Sequence, residues 1–143
     1  MGLDMYLTAK KYIAGDKELT SNLNSSNGFL KAKTVEYEII YWRKANAIHN
    51  WFVNNCQQGI DNCQQVYVDK DNLKNLLDII ESLLKNKSKD EAMEKLPPKS
   101  GFFFGETQIN EYYWEDLEMT KEKLIEIFKP EYDELDLYYR ASW

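Results

Sequence analysis

Twelve consecutive residues, Tyr41-Trp-Arg-Lys-Ala-Asn-Ala-Ile-His-Asn-Trp-Phe52, hold the only histidine of the chain, one of its two arginines and two of its four tryptophans. Rings, a guanidinium, an ammonium, amides and one imidazole within about three helical turns suit a pocket for a small polar ligand. Arg43 and Lys44 would meet negative charge, the planar fork of Arg43 matching carboxylate or phosphate. Tyr41, Trp42 and Trp51 offer faces for stacking on a base or on Arg43 itself. Asn46, His49 and Asn50 would read polar edges. These eight residues form the candidate ligand site. His49 is also the one side chain suited to acid–base catalysis at neutral pH, which needs a carboxylate to orient the ring. Asp4, Glu36, Glu38 and Glu106 are the acids that the expected sheet brings nearest. The plainer reading is a core histidine held by one hydrogen bond, beside a solvated border of Arg43, Asn46 and Asn50.

Other stretches carry weaker chemistry. Phe102-Phe103-Phe104 between Gly101 and Gly105 is too short for a helix and reads as a buried strand or a turn, with Phe103 covered by a helix or offered to a ligand. Glu111, Glu115 and Glu118 recur at helical spacing and could hold a hard cation only with outside help; a solvated face is the simpler account. The cysteines, Cys56 and Cys63, lack zinc spacing and read as free thiols, Cys56 on an apolar helix face. There is no glycine-rich phosphate loop, His-Glu-x-x-His or Gly-x-Ser-x-Gly. The residues therefore specify no catalytic set, metal site or cofactor.

The elements that position these residues follow from hydrophobic period. Leu3–Ile13 alternates and predicts a strand. Residues 14–28, rich in Gly, Ser, Asn and Asp, predict a flexible surface loop. A second strand is expected over Phe29–Tyr41, with Val35, Tyr37, Ile39 and Tyr41 on one face. Trp42–Cys56 predicts a helix whose stripe is Trp42, Ala45, Ile48, His49, Phe52, Val53 and Cys56. On that helix Lys44, Trp51 and Asn55 fall on the far side. Val66–Val68 is a short strand, after which Asp69 or Asp71 caps a helix with Leu73, Leu76, Leu77, Ile80, Leu83 and Leu84 inward. Ser88-Lys-Asp-Glu91 is a capping box opening a short helix that Pro97-Pro98 ends. A long helix is expected over Asn110–Lys129, with Trp114, Leu117, Leu124 and Phe128 inward, and a last strand over Leu135–Trp143. Together these predict one α+β domain over residues 1–143, a small and mostly antiparallel sheet packed by about three helices.

Composition bounds the function further. Of 143 residues, 43% are hydrophobic and 14% aromatic, ordinary for a globular chain apart from its wealth of rings. Net charge is −6, but residues 1–100 sum to +1 and residues 101–143 to −7. The acidic C-terminal third argues against direct contact with a DNA backbone there and favours a basic protein surface instead. No stretch approaches the ~20 apolar residues of a membrane span, and the N-terminus lacks a signal sequence, so a cytoplasmic protein is expected.

The blocks Met1-Gly-Leu-Asp-Met-Tyr6, Tyr41–Phe52, Ser100-Gly-Phe-Phe-Phe-Gly105 and Tyr112-Tyr-Trp-Glu-Asp116 resemble a family of small phage and prophage proteins. The resemblance implies expression in the cytoplasm of a bacterial host and a part in phage–host conflict. Small phage accessory proteins commonly counter host defence by sequestering a nucleotide signal or by blocking a defence protein. Three functions are expected on this basis. The leading one is a non-enzymatic binder of a nucleotide-like ligand. The others are an inhibitor that docks on a host defence protein through its acidic surface, and a small hydrolase using His49. A homo-oligomer is compatible with each.

Overall fold

The computed structural model describes residues 2–143; Met1, which opens the first of the four blocks, lies outside them. Strand β1 (Asp4–Tyr12) and strand β4 (Asp136–Ser142) are neighbours at the centre of a four-stranded sheet. Strand β2 (Thr34–Arg43) flanks β1 and the short β3 (Val66–Val68) flanks β4. Every neighbouring pair is antiparallel. Alternation along β1 sends Leu3, Met5, Leu7 and Ala9 into the core, where Leu137, Tyr139 and Ala141 of β4 join them.

Helices α2 (Asn46–Cys56), α3 (Lys70–Asn86) and α5 (Glu111–Ile127) supply the rest of the core, with the short α4 (Lys89–Lys95) beside α3. The stripe of α3 is buried as its spacing predicts, through Leu73, Leu76, Leu77, Ile80 and Leu83. Side chains of Asp69, Ser88 and Asn110 cap α3, α4 and α5 by accepting from the Asp71, Glu91 and Tyr113 amides. The expected α+β architecture is the one observed.

Three local readings are corrected. Residues 14–28 contain a helix, α1 (Lys17–Leu23), capped by Asp16 and with no buried residue. A helix solvated on all sides shows no apolar period, so periodicity could not reveal it. The second strand begins at Thr34, not Phe29, because Asn24, Ser25 and Asn27 side chains bond the amides of Ala32, Leu30 and Phe29 in place of a ladder. Strand β2 then runs to Arg43, so Trp42 and Arg43 are strand residues rather than the start of a helix. Of the two forms expected for Gly101–Gly105, the turn is the one observed, closed by the Phe104 amide donating to the Gly101 carbonyl.

The course of β2 decides which side chains reach the site. Its pairing with β1 slips by one residue between Leu7 and Thr8, where Leu7 faces Ile40 but Thr8 faces Glu38. This bulge inverts the alternation. Val35 and Tyr37 share a face with Ala9, but beyond the slip Ile40 and Trp42 take the core side. Tyr41 and Arg43 are thereby turned to the opposite, open face. A sharp turn at Lys44 (φ 57°) separates β2 from α2, braced by the Lys44 amide donating to the Leu3 carbonyl at 2.8 Å.

Candidate functional site

His49 is fully buried at the centre of α2. Its Nδ1 lies 2.6 Å from the Tyr139 hydroxyl and its Nε2 lies 3.1 Å from Asp61 Oδ2. A carboxylate only accepts, so Nε2 carries the proton and Nδ1 accepts from Tyr139. Burial pulls the imidazole below its ordinary pKa, against the opposing pull of Asp61, and keeps the ring neutral. The same burial drives the Tyr139 phenol well up, so it stays a donor. Asp61 also accepts from Trp143 Nε1 at 3.1 Å and lies 3.6 Å from Lys99 Nζ.

This Tyr139–His49–Asp61 chain has the order of a catalytic relay, yet both ring nitrogens are spent inside the protein. No atom of His49 is left for a substrate. The orienting acid is Asp61, from the turn after α2, rather than Asp4, Glu36, Glu38 or Glu106. Its proximity follows from tertiary folding that no local spacing reports.

The other members of the twelve-residue segment divide between core and surface. Trp42 is buried and its Nε1 donates to Thr120 Oγ1 at 2.8 Å, so neither ring face is open to a ligand. Trp51, expected on the far side of its helix, is also buried, because α2 is enclosed on nearly every side. Asn46 is buried; its amide donates to the carbonyls of Phe104 and Glu106 and accepts from the Lys99 amide. Asn50 donates to the Pro97 carbonyl. Both asparagines thus bind the 97–106 segment to α2, a role that a polar border on a helical wheel does not disclose. Tyr41 is half-exposed and donates to Asp4, which Arg43 meets at 3.1 Å.

Arg43 and Lys44 lead into a cleft of about 360 Å³ between the start of α2 and the start of α5. Ala45, Asn46, Ala47 and Ile48 form one wall. Gly105, Glu106, Gln108, Tyr112 and Asp116 form the other. The start of α2 has no side-chain cap, and among the described residues neither a side chain nor a carbonyl accepts from the Ala47 and Ile48 amides. Those amides and the helix dipole make the wall electropositive. Lys44 has no carboxylate within 4.0 Å among the described residues, and its methylenes lie against Gly105 (φ 83°), where a Cβ would come within 3.2 Å.

Asp116 is the unusual group opposite. Burial, followed by the nearby charge of Glu115, raises its carboxyl to about 6. Close to neutrality it can therefore accept or donate. Tyr112 is largely exposed at the rim. Glu106, Gln108, Tyr112 and Asp116 come from outside the twelve-residue segment; Tyr112 and Asp116 belong to one of the four blocks, Glu106 is expected from the sequence only as a carboxylate near His49, and Gln108 carries no signal.

No known protein family, characterised protein or solved structure matches this chain. Among the described residues, no helix is long and apolar enough to cross a membrane, and no three His, Cys, Asp or Glu side chains cluster to hold a metal ion. Glu118 is paired with Lys87 at 3.0 Å, while Glu111 and Glu115 face solvent.

Proposed function

We propose that this chain is a non-enzymatic binder of a small nucleotide-like anion, acting within a bacterial cytoplasm in phage–host conflict. The observation that carries the binding reading is the cleft at the start of α2. There Lys44 and two unpartnered backbone amides face a wall bearing Asp116, Gln108 and Tyr112, while Arg43 stands at the rim with its guanidinium paired to Asp4. Phosphate suits the first wall, since an uncapped helix start with adjacent cations favours negative charge. A base suits the second, where a carboxyl and an amide can read its edge and the Tyr112 ring can cover its face. The conflict setting rests on the resemblance of the four sequence blocks.

This reading moves the ligand away from the buried rings. In this reading Lys44 meets the negative charge, Arg43 is held by Asp4 at the rim, and Trp42, His49 and Trp51 support the cleft from the core. Asn46 contributes by fixing the opposite wall through its bonds to Phe104 and Glu106.

Calorimetric titration with linear mononucleotides and cyclic dinucleotides tests the proposal. At least one should bind with favourable enthalpy, and Lys44→Ala should weaken it about tenfold, the loss of one charge-assisted contact. Asp116→Asn should change the preference among bases more than the affinity for phosphate. A folded protein that gives no heat with any of them at millimolar concentration would end the idea.

A further inference from the structure

Between β1 and β2 the chain leaves the sheet as an arm, residues 13–33, whose large apolar side chains stand in water. The arm consists of α1 and a turn that returns to β2, and it is rooted where the Ile13 amide donates to the Lys33 carbonyl at 2.8 Å. The side chains of Asn24, Ser25 and Asn27 fix the returning turn by accepting from the Ala32, Leu30 and Phe29 amides. Yet Leu19, Leu23, Phe29 and Leu30 are all exposed, Phe29 by 82%. Leu19 and Leu23, four residues apart on α1, share one face of it. Apolar groups held in water by a hydrogen-bonded frame mark a docking surface rather than a solvated loop.

We propose that this arm docks on a second copy of the chain, each arm entering a cleft at the end of the other copy's α5. Where α5 stops at Ile127, a cleft of about 440 Å³ is lined by Ala9, Ile39, Ile127 and Leu135, with the rings of Tyr37 and Tyr132 beside them. Lys11, two residues before the arm begins, also belongs to the lining. Arm and cleft thus share one end of the molecule. A two-fold axis there brings both contacts together, so that each copy covers the apolar surface of the other in a closed pair. Charge selects the same occupant. From Leu19 to Lys33 the arm holds Lys31 and Lys33 and no acid. From Glu126 to Glu134 the end of α5 and the turn after it hold four acids against Lys129 alone. Glu126 and Asp133 are paired, with Lys129 and Lys70. Among the described residues Glu38, Glu131 and Glu134 have no cation, and Lys31 and Lys33 no carboxylate, within 4.0 Å. The last turn of α5 has no basic residue and adds the negative end of its dipole. Lys11 and Lys123, the cations of the lining, have Glu18 at the start of the arm as their counterpart.

Sedimentation velocity over about 1–200 µM protein, at low and at high salt, tests this. A monomer–dimer equilibrium with Kd of about 1–100 µM is expected, loosened several-fold by salt. Leu23→Ser and Phe29→Ser, both at exposed positions, should each weaken the dimer about tenfold. Charge reversal tests the pairing itself. A chain with Lys31→Glu and Lys33→Glu should be monomeric, and so should one with Glu38→Lys and Glu131→Lys, because like charges then meet at both contacts. Mixed in equal amounts, these two variants should pair again, since each arm now meets a cleft of opposite charge. Misfolding would not be repaired by mixing, so recovery isolates the interface. A chain that stays monomeric at the highest concentration overturns the proposal, whether its arm is free, enters its own cleft or takes another protein. So does a dimer indifferent to Phe29→Ser, or a mixture of the reversed chains that fails to pair.

Discussion

Two titrating side chains pull the stability of this protein in opposite directions as pH falls. His49 is held below its ordinary pKa, so between about 6.5 and its folded value the unfolded chain binds the extra proton. Stability from this residue is complete above about pH 6.5 and declines below it. Asp116 behaves oppositely. Its carboxyl is raised to about 6, so between roughly 4 and 6 the folded state holds the extra proton and stability from this residue falls as pH rises. Asp116→Asn should therefore be more stable at pH 7 by about 1–2 kcal/mol, and its stability should then drop below pH 6.5 by up to ~1.4 kcal/mol per unit. Urea titrations followed by tryptophan fluorescence between pH 5 and 7.5 measure both. Adding His49→Gln to the same background should remove the drop; an unchanged profile would exclude His49 as its source. The thiols differ in the same way. Burial lifts Cys56 to about 11 whereas Cys63 is exposed, so a disulfide reagent at pH 8 should titrate one thiol quickly, and Cys63→Ser should abolish that phase.

Turns and caps show what local sequence can and cannot announce. Gly101 is required because a Cβ there would lie 2.6 Å from the Phe104 ring, so Gly101→Ala should cost about 1–3 kcal/mol by urea denaturation. Helix α3 ends on Lys87 in the left-handed region (φ 48°), where glycine is at ease, so Lys87→Gly should gain about 0.5–1 kcal/mol despite losing an exposed ion pair with Glu118. Elements whose signal is local were legible: the stripe of α3, the Ser88 side-chain cap of α4 (without the reciprocal Glu91 bond of a full capping box) and the alternation of β1 all hold. The site was only partly legible, for a definite physical reason. A bulge is one extra residue with no composition of its own, and the slip opposite Leu7 and Thr8 sends Trp42 inward and Tyr41 outward. A helical wheel drawn from Trp42 therefore groups Arg43 with Asn46 and Asn50, although Arg43 sits on a strand and the two asparagines bind the 97–106 segment. Asp61 and Asp116 were missed as partners because each meets the site through tertiary packing alone.

At the scale of the molecule, the pairing of the first strand with the last governs cooperativity. Strands β1 and β4 are separated by more than a hundred residues yet pair from Asp4–Ser142 to Lys10–Asp136 at the centre of the sheet. Among the described residues strand β3 pairs with β4 alone, and His49 depends on β4 for Tyr139. The central strand thus joins the sheet, the α2 core and, through Trp143, the Asp61 turn. Such a topology closes its longest loop last and leaves little that is stable without it. Deleting residues 135–143 should therefore yield no partial fold. Far-ultraviolet circular dichroism should show loss of both helix and strand, and the urea transition should disappear. A milder cut tests the same dependence. Tyr139→Phe keeps the ring stacked 3.9 Å from Phe52 but leaves His49 Nδ1 without its donor, so it should cost about 1–3 kcal/mol with an unchanged urea m value. If the truncated chain retained a cooperative transition, the helices would constitute a core of their own, and the sheet would be an addition to the fold rather than its centre.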